Sequence, residues 1–416
     1  MTSLAKITFA LAANFVLLAT LNAQTTGYSC KVLARTGESV DGNTLTGLLD
    51  APVINDRGEV VFTASFSSGE GIFTPSKLLV KSGDTVDGKT LAYVGYPSLN
   101  DRGAIVFLAG FPTGSGIFTR SNLLVKTGDI IDGQAINTFY GGTSLNNGGD
   151  VAFEALVGMP YPMGTAIFTT PRNGKARVIA KAGDTIAGEL VDDLSTPVVG
   201  DGGTVSFRAG FQNYADPNDT GIVTVESRGQ KTAASLLKKT GDTVDGKLIT
   251  VFDHPAGVTR QGGVVTLANY SGGSGIFALA PRLPDYPLEG LDKVLNLKKP
   301  SRLLVKTGDT IGSVTITEFG QAGVSEFGTT AFYAKYAGGQ GIFTPAGSVI
   351  KTGDLIGLDK LKSILFNTAA INSRGAVVFT GQLDDDSKVI VIAEPNDGFR
   401  SRMMRGRLST NYTDIE

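Results

Sequence analysis

The sequence predicts an all-β fold: a seven-bladed β-propeller whose blades are four-stranded antiparallel sheets. The first observation is a repeated unit, in which a [KR]-x-G-[DE] segment is followed by a Gly-containing turn and an apolar stretch, and which occurs seven times. The second is the length of the regular copies, about 45 residues, which suits one propeller blade. The third is the composition, because 55 Gly and 22 Phe favour short strands joined by tight turns over long helices.

The seven motif copies set the order of the blades along the chain. They begin at Arg35, Lys81, Lys126, Lys181, Lys239, Lys306 and Lys351. The intervals between them are longest in the middle of the chain. We therefore expect insertions in the third, fourth and fifth units, with the repeated scaffold kept around them.

One regular unit shows how we expect each blade to form. Residues 97–100 are a short extended segment, strand A, and residues 100–103 (Asn-Asp-Arg-Gly) are a turn, because Asn and Asp tolerate a positive φ and Gly favours it. Residues 104–111 are a strongly apolar strand B. After a second turn, residues 116–119 form strand C and residues 123–126 form strand D.

The D strands are out of phase with the A-B-C sets. The chain begins with a D strand near Lys31 and ends with an A-B-C set. We therefore predict that residues 31–35 pair with residues 388–393. This 3+1 closure completes the seventh blade and leaves no free edge. The propeller is predicted to span residues 24–395.

The two ends of the chain differ from the repeats. Residues 1–23 look like a secretory signal, with Lys6 before an apolar stretch and Ala23 at a small-residue cleavage position; a retained anchor helix is the alternative. We expect a secreted, periplasmic or cell-surface protein. Residues 396–416 are polar and basic, and a disordered tail is predicted. Cys30 is the only cysteine, so no intrachain disulfide can form, and a free thiol is favoured over a lipidated one.

Composition and charge exclude several classes of partner and cofactor. The formal net charge of −2 argues against nucleic-acid binding, and no segment after residue 23 approaches the roughly 20 apolar residues of a membrane span. One His and one Cys cannot build a structural zinc site. Acid pairs such as Asp84 and Asp87 raise the question of calcium, but Gly-Asp and Asp-Gly also form turns. We expect turns here, no metal or other cofactor, and a monomer.

The turn and the strand that follows it carry a family resemblance. Regular copies occupy residues 55–62, 100–107, 146–153 and 372–379. They resemble the bacterial secreted tandem-repeat family named for its Asn-x-x-Gly…Ala-Phe repeat, and they are similar to the hairpins of TolB-type and WD40-like propellers. The resemblance covers residues 31–395 and implies an exported propeller-like protein of undefined activity. Units four to six depart from it: Gly200, Arg260 and Ser325 replace the Asn, and Leu267 replaces the Phe.

Two insertions interrupt the repeat after B strands, on one face of the predicted propeller. The third unit adds residues 157–164 and the fourth adds residues 212–220. These blades are adjacent, so we expect the inserted side chains to meet, and Tyr with carboxylate can bind a sugar or engage a peptide. The candidate ligand-binding residues are Tyr161, Tyr214, Asp216 and Asp219, with Tyr96 and Tyr140 approaching the same face. Packing of the loops on themselves is the alternative.

The sequence contains no nucleotide-binding loop, nucleophile elbow or metal-binding helix motif. We therefore interpret the protein as a non-enzymatic exported scaffold that binds a glycan, peptide or protein. The competing hypothesis is a hydrolase or lyase of an extracellular polymer, with carboxylates on the D-to-A segments that lead to the channel mouth. Its candidate catalytic residues are Asp192, Asp193, Asp253, Glu318 and His254. His254 would shuttle a proton, although a polar loop residue before Pro255 is the simpler interpretation. A structural surface protein is the third hypothesis.

Overall fold

A computed structural model describes residues 23–24, 27–158, 164–172, 174–212, 218–226, 234–280 and 301–400. In these residues seven antiparallel blades surround a central channel, so the predicted seven-bladed β-propeller is confirmed. Residues 1–22 of the predicted signal and residues 401–416 of the predicted tail lie outside the described residues. Within the described part of the chain, no helix has the length and apolarity of a membrane span.

Each blade runs from strand A beside the channel to strand D at the rim. Strand A comprises Asn43–Leu48 with Val53–Ile54, Lys89–Thr90 with Tyr93–Leu99, Gln134–Leu145, Glu189–Val199, Lys247–Val258, Val314–Val324 and Asp359–Leu365. Strand B comprises Val60–Phe66, Ile105–Phe111, Val151–Val157, Thr204–Phe211, Val264–Tyr270, Thr330–Tyr336 and Val377–Leu383. Strand C comprises Gly69–Thr74, Gly114–Thr119, Gly164–Thr170, Thr220–Glu226, Gly273–Leu279, Gly339–Thr344 and Lys388–Pro395. Strand D comprises Lys77–Lys81, Leu123–Lys126, Arg177–Lys181, Ala234–Lys239, Arg302–Lys306, Gly347–Lys351 and, in blade 7, Tyr28–Arg35.

A short strand precedes each strand A and pairs with its beginning. These short strands are Ser39–Val40, Thr85–Val86, Ile130–Ile131, Thr185–Ile186, Thr243–Val244, Thr310–Ile311 and Leu355–Ile356. One further strand, Ala23–Gln24, pairs with the start of the closing strand.

Strand A begins earlier than the sequence predicted. In blade 2, Thr85–Val86 pairs with Lys89–Thr90 in a tight hairpin. Asp87 (φ 49°) and Gly88 (φ 71°) turn this hairpin, which suits the left-handed tolerance of Asp and Gly. The hairpin leads almost directly into strand A, which starts again at Tyr93, before the predicted residue 97. The D-to-A connection is therefore a hairpin, not an open loop.

The [KR]-x-G-[DE] motif forms the turn before the short strand of the hairpin, and the acid of the motif holds this turn in place. In the sixth copy of the motif, the Asp309 carboxylate accepts a hydrogen bond from the Lys306 backbone N–H (2.9 Å) and forms an ion pair with Lys306 Nζ (2.6 Å). The Asp87 carboxylate accepts the backbone N–H of Leu123 in strand D of the same blade (3.2 Å). The structure therefore favours the turn interpretation of the motif. Lys126, Lys181 and Lys306 pair with the acid of their own motif, whereas Lys239 pairs with Glu189 and Arg35 pairs with Asp359 and Asp385.

The Asn of the A-to-B turn joins neighbouring blades. Asn100 Oδ1 accepts the backbone N–H groups of Arg102 (3.1 Å) and Ala104 (3.0 Å), which closes the turn. Asn100 Nδ2 donates to the backbone carbonyl of Asn146 in the next blade (3.1 Å). The same cross-blade bond is made by Asn55, Asn146 and Asn372. We call this set of bonds the Asn ladder.

The Asn ladder is interrupted in blades 4 to 6, where Gly200, Thr259 and Ser325 occupy the Asn position. The sequence analysis assigned Arg260 to the Asn position of blade 5, which is wrong by one residue. The Gly262 N–H bonds the Thr259 carbonyl (2.8 Å), so Gly262 closes the turn. The turn Gly is followed by a second Gly in this blade, and the two were indistinguishable from sequence.

The core lies within and between the blades. The Phe residues of strands B and C stack in the regular blades: Phe153 and Phe168, both almost fully buried, have ring centroids 5.1 Å apart. In blade 5 the buried Thr266 opposes Phe277. Thr266, and not Leu267 as the alignment predicted, therefore replaces the strand B Phe.

The predicted 3+1 closure is confirmed. Tyr28–Arg35 pairs antiparallel with Lys388–Pro395, from Tyr28 opposite Pro395 to Arg35 opposite Val389. Cys30 lies in this strand, buried and free, and burial raises the pKa of its thiol to about 12. Both observations favour the free-thiol interpretation of Cys30.

The folded chain extends beyond the predicted boundary at residue 395. Residues 397–400 form a helical turn. Its Phe399 is only 4% exposed and packs on Tyr28, with ring centroids 5.1 Å apart. Residues 396–400 therefore belong to the closing blade and not to a disordered tail, because the Phe399 ring covers the end of the closing strand.

Candidate functional site

The central channel is a concavity with a volume of about 650 Å³. It is lined by the A strands and the A-to-B turns of the seven blades. Its two ends differ in chemistry. We call one end the mouth. Asp50 and Tyr96 line it, and Tyr140, Ser195 and His254 precede the lining segments of their A strands by one or two residues. We call the other end the acidic ring, which consists of Asp56, Asp101, Asn147, Asp201, Arg260, Glu326 and Ser373 at the A-to-B turns.

One strand B position distinguishes the blades beside the mouth. The residue after the strand B Phe, or after Thr266 in blade 5, is uncharged in five blades: Thr63, Leu108, Leu267, Tyr333 and Thr380. Blades 3 and 4 have Glu154 and Arg208 at this position. Because a charged side chain there is costly to bury without partners, the two substitutions mark blades 3 and 4 as specialised.

Glu154 is buried between blades 3 and 4. It is 9% exposed, and its Oε2 accepts the backbone N–H of Thr196 in strand A of blade 4 (2.9 Å). Burial raises the pKa of the Glu154 carboxyl, the Thr196 N–H opposes this effect, and the nearby Asp193 carboxylate adds to it. Glu154 therefore holds a proton more readily than an exposed Glu.

Arg208 links blade 4 to blade 5. Its Nε donates to the Phe252 carbonyl (3.1 Å), and its guanidinium lies 3.6 Å from the Asp193 carboxylate. Asp193 Oδ1 also accepts a hydrogen bond from the Thr165 hydroxyl of blade 3 (3.1 Å). Asp193 thus has a cation and a hydroxyl as partners. Its neighbour Asp192 is exposed.

His254 lies in strand A and not in a loop. Its Nδ1 is 3.2 Å from the Ser195 hydroxyl in the preceding blade, and its Nε2 is 3.7 Å from Asp253 Oδ1. The same Asp253 oxygen accepts the His254 backbone N–H (2.8 Å). The structure therefore brings Asp253, His254 and Ser195 together. The predicted Glu318 is instead paired with Lys335 in blade 6 (2.8 Å).

Ser195 and Glu154 were missed from the sequence. Neither belongs to a motif. In antiparallel pairing Ser195 stands opposite Arg208, and Tyr140 stands opposite Glu154. The signal available in the sequence was the charged residue after the strand B Phe in blades 3 and 4. Which strand A residue lies opposite this charged residue decides what it contacts. Bulges in strand A shift that register and hide it from sequence.

Exposed tyrosines occupy the mouth in blades 2 and 3. Tyr96 and Tyr140 are 50% and 44% exposed, and Tyr93 is also exposed. Tyr96 has a positive φ of 52° at a bulge of strand A. Its backbone N–H donates to Asp50 Oδ2 of blade 1 (3.3 Å). Two of the predicted ligand-binding residues, Tyr96 and Tyr140, therefore offer aromatic surface at the mouth.

The inserted residues contribute less to this description. Tyr161, Tyr214 and Asp216 lie outside the described residues. Asp219 is described and is only 7% exposed. It presents little surface to a ligand, because strand C begins at the next residue and draws it into the blade.

At the other end of the channel, the acidic ring is joined by hydrogen bonds between neighbouring turns. Backbone N–H groups donate to the side-chain oxygen of the next turn from Ser373 to Asp56 (2.6 Å), from Asp56 to Asp101, from Asp101 to Asn147 and from Asn147 to Asp201 (2.7 Å each). The second turn residue thus performs the same structural task in successive blades.

Three carboxylates of the acidic ring converge. One oxygen each from Asp56, Asp101 and Glu326 lies within 4.8 Å of the others, a set of oxygen atoms that could hold a metal ion. The calcium pair weighed from sequence, Asp84 and Asp87, is not part of it. The sequence concealed this cluster because its members come from three separate repeats.

Comparison with known proteins identifies one family and a set of similar folds. The model of a family of unknown function (DUF7453) matches residues 123–391. No curated protein sequence matches the chain.

Several solved structures are similar in fold. A gluconolactonase from Xanthomonas campestris is 10% identical with a TM-score of 0.36, covering 89% of this chain and 90% of its own. A streptogramin B lyase is 11% identical with a TM-score of 0.40, covering 89% and 98%. The virginiamycin B lyase of Staphylococcus aureus is 12% identical with a TM-score of 0.39, covering 85% and 97%. At such scores these similarities carry no argument about activity.

Proposed function

The chain belongs to a family of unknown function, DUF7453, and we propose that it is an exported binding protein that holds a glycan chain at the mouth of its channel. The observation that carries this proposal is the exposure of tyrosine rings on two adjacent blades, beside polar groups from the neighbouring ones. Tyr96 and Tyr140 supply the rings. Asp50 of blade 1 supplies an acceptor on one side of them, and Ser195 of blade 4, which contacts His254 of blade 5, supplies a hydroxyl on the other.

This combination suits a sugar. The apolar C–H face of a pyranose stacks on an aromatic ring, while its hydroxyls need carboxylate, hydroxyl or imidazole partners. A channel volume of about 650 Å³ admits a ligand of a few sugar rings. The mouth residues vary from blade to blade, so an extended ligand would meet different chemistry along its length.

A glycan array followed by titration calorimetry tests the proposal. We expect Tyr96→Ala combined with Tyr140→Ala to weaken binding at least tenfold, which corresponds to about 1.4 kcal/mol. Phe327→Ala is the matched control, because Phe327 is also 50% exposed but lies in the A-to-B turn of blade 6, beside the acidic ring. Binding that survives the double substitution, or that is lost with Phe327→Ala, contradicts the proposal.

A second candidate function is hydrolysis or elimination on the same glycan. It is favoured by one observation: the buried Glu154, whose pKa is raised, lies near Asp193, which has Arg208 and Thr165 as partners. A carboxyl group with a raised pKa beside a second carboxylate is a common arrangement for general acid catalysis on a glycosidic bond. In this alternative Glu154 donates the proton.

Glu154→Gln separates the two candidates. If the protein is an enzyme, this isosteric change abolishes turnover of a bound glycan while its affinity is retained, as measured by released reducing ends or by absorbance of an unsaturated product. If the protein only binds, neither product appears with the unsubstituted chain at any enzyme concentration.

A further inference from the structure

We propose that Ser195, with His254 as its base, is the nucleophile of an esterase site between blades 4 and 5 at the mouth of the channel. The inference goes beyond the binding proposal and does not depend on it, because an ester can be tested without a sugar. It also differs from glycan cleavage by Glu154, since the reaction passes through an acyl group bound covalently to a serine.

A hydroxyl and the one imidazole of the chain meet between these two blades. Ser195 Oγ lies 3.2 Å from His254 Nδ1, within the range expected for a nucleophile and its base. When Nδ1 accepts this hydrogen bond, Nε2 carries the ring proton, and Nε2 lies 3.7 Å from Asp253 Oδ1. A serine, an imidazole and a carboxylate therefore follow one another in the order of a catalytic triad.

The position of Ser195 is fixed from two sides. A bulge of strand A follows Ser195, and its first residue, Thr196, has a positive φ of 50°, which is unusual for a β-branched side chain. The Thr196 backbone N–H donates to Glu154 Oε2 of blade 3 (2.9 Å), while His254 contacts the Ser195 hydroxyl from blade 5. Strained backbone of this kind persists where surrounding contacts fix it, and it is concentrated at functional sites.

Arg208 supplies a positive charge on the same face of the sheet. It stands opposite Ser195 in the antiparallel pair, so their side chains are neighbours. Arg208 Nε donates to the Phe252 carbonyl of blade 5 (3.1 Å), and its Nη1 lies 3.6 Å from Asp193. The N–H groups of Nη2 can stabilise the negative oxygen that forms when a hydroxyl adds to an ester carbonyl.

The hydroxyl and the imidazole are accessible from the mouth. The His254 side chain is 48% exposed, and Ser195 is half-buried. They precede the channel-lining residues Thr196 and Ala256 by one and two positions. Because His254 and Arg208 surround the hydroxyl with polar groups, the site suits an ester of a short acyl group, such as acetyl, better than one of a fatty acid.

The reaction balances with water as its co-reactant. Ser195 Oγ adds to the ester carbonyl while its proton passes to His254 Nδ1. The bond from the carbonyl carbon to the alkoxy oxygen then breaks, and the alcohol leaves with the proton from His254. Water adds to the acyl-serine and gives a proton to His254, and the carboxylic acid leaves as Ser195 regains a proton.

Hydrolysis of p-nitrophenyl acetate by the full chain tests the inference. We expect Ser195→Ala and His254→Ala to lower turnover by about a hundredfold, and Ser363→Ala to leave it unchanged. Ser363 is the matched control, because it is also a half-buried serine of a strand A, in blade 7, but its hydroxyl contacts Gln382 (3.3 Å) and not a histidine. Asp253→Asn should lower kcat and leave KM unchanged, because Asp253 positions the imidazole and does not touch the ester.

A fluorophosphonate probe distinguishes a nucleophilic serine from a contact that only joins two blades. Mass spectrometry should find the phosphonyl group on Ser195 of the wild type, and His254→Ala should prevent this labelling while thermal melting shows that the variant is folded. Turnover that survives Ser195→Ala overturns the inference, and so does a wild-type Ser195 that is not labelled. Turnover that is lost in Glu154→Gln but kept in Ser195→Ala also overturns it, because the carboxyl group would then be the catalyst.

Discussion

The two ends of one channel are built on different principles. At the acidic ring, the second residue of the A-to-B turn in blades 7, 1, 2 and 3 donates its backbone N–H to a side-chain oxygen of the turn in the next blade. At the mouth, the residues that matter differ between blades: Tyr140 opposes Glu154 in blade 3, while Ser195 opposes Arg208 in blade 4.

This difference teaches where to look for function in a repeat protein. A residue that recurs in several units is explained by its contact with the next unit, as Asn100 is by its bond to the Asn146 carbonyl. A charged residue where other units are uncharged, such as Glu154, has no such explanation. The mouth is therefore the better candidate for ligand recognition, and the ring is the better candidate for stability.

The change with the largest expected effect disrupts both ends of the channel. Deleting residues 30–38 takes away the closing strand, which pairs with strand C of blade 7. Both ends of the channel depend on the closed ring, so we expect loss of cooperative unfolding, since the total stability of a domain is only about 5–15 kcal/mol. Circular dichroism during heating measures this. A truncated protein that melts like the full chain would show that closure is dispensable.

The next effect should separate the two ends. Asn100→Ala breaks two turn bonds and one cross-blade bond in a buried site. We expect a loss of about 3 kcal/mol in unfolding free energy, because buried backbone groups are left without partners. Chemical denaturation measures it, and Asn122→Ala, an exposed Asn on the rim, is the control. An equal loss of stability in both variants would contradict the stabilising role of the Asn ladder. We also expect Asn100→Ala to bind the glycan with unchanged affinity.

A smaller effect concerns the mouth. Because the pKa of Glu154 is raised by burial, its ionisation opposes folding as the pH rises through its folded pKa. We expect Glu154→Gln to be slightly more stable than the wild type in alkaline solution, by less than about 1 kcal/mol, with the two curves converging in acid. Denaturation at several pH values checks this. A variant that is less stable at every pH would mean that the ionised carboxylate is the stabilising form.

The smallest effect sharpens the assignment of the faces. Phe327 is half-exposed in the turn beside the acidic ring. Phe327→Ser should change stability by no more than about 0.5 kcal/mol and should leave glycan binding unaltered. A loss of affinity in this variant, measured by calorimetry, would place the ligand at the ring and not at the mouth.

The predictability of the molecule follows the same division. The blade count, the strand order and the 3+1 closure could be predicted because several copies of one pattern indicated each of them. Errors arose where a single copy had to be interpreted alone, as in blade 5, where adjacent glycines hid that Thr259 takes the Asn position. Strand A was predicted too short because a Gly-Asp turn indicates a reversal of the chain but not how soon the next strand begins.

The candidate site was predicted in part. Tyr96, Tyr140, Asp253 and His254 were named from the sequence, and the structure places them on the A strands at the mouth. Ser195 was not named, because its link to His254 joins residues of two blades. The cluster of Asp56, Asp101 and Glu326 was not named for the same reason.

The sequence by itself determined the architecture of this protein, because a repeated pattern of turns and apolar strands has few ways to bury its hydrophobic surface. Only the tertiary structure decided which charges meet. Closing seven blades into a ring brings residues from distant repeats to a common axis, and there the distance between carboxyl groups sets their pKa values. That distance depends on strand bulges and on the direction of the side chains. Neither can be inferred from the spacing of residues along the chain.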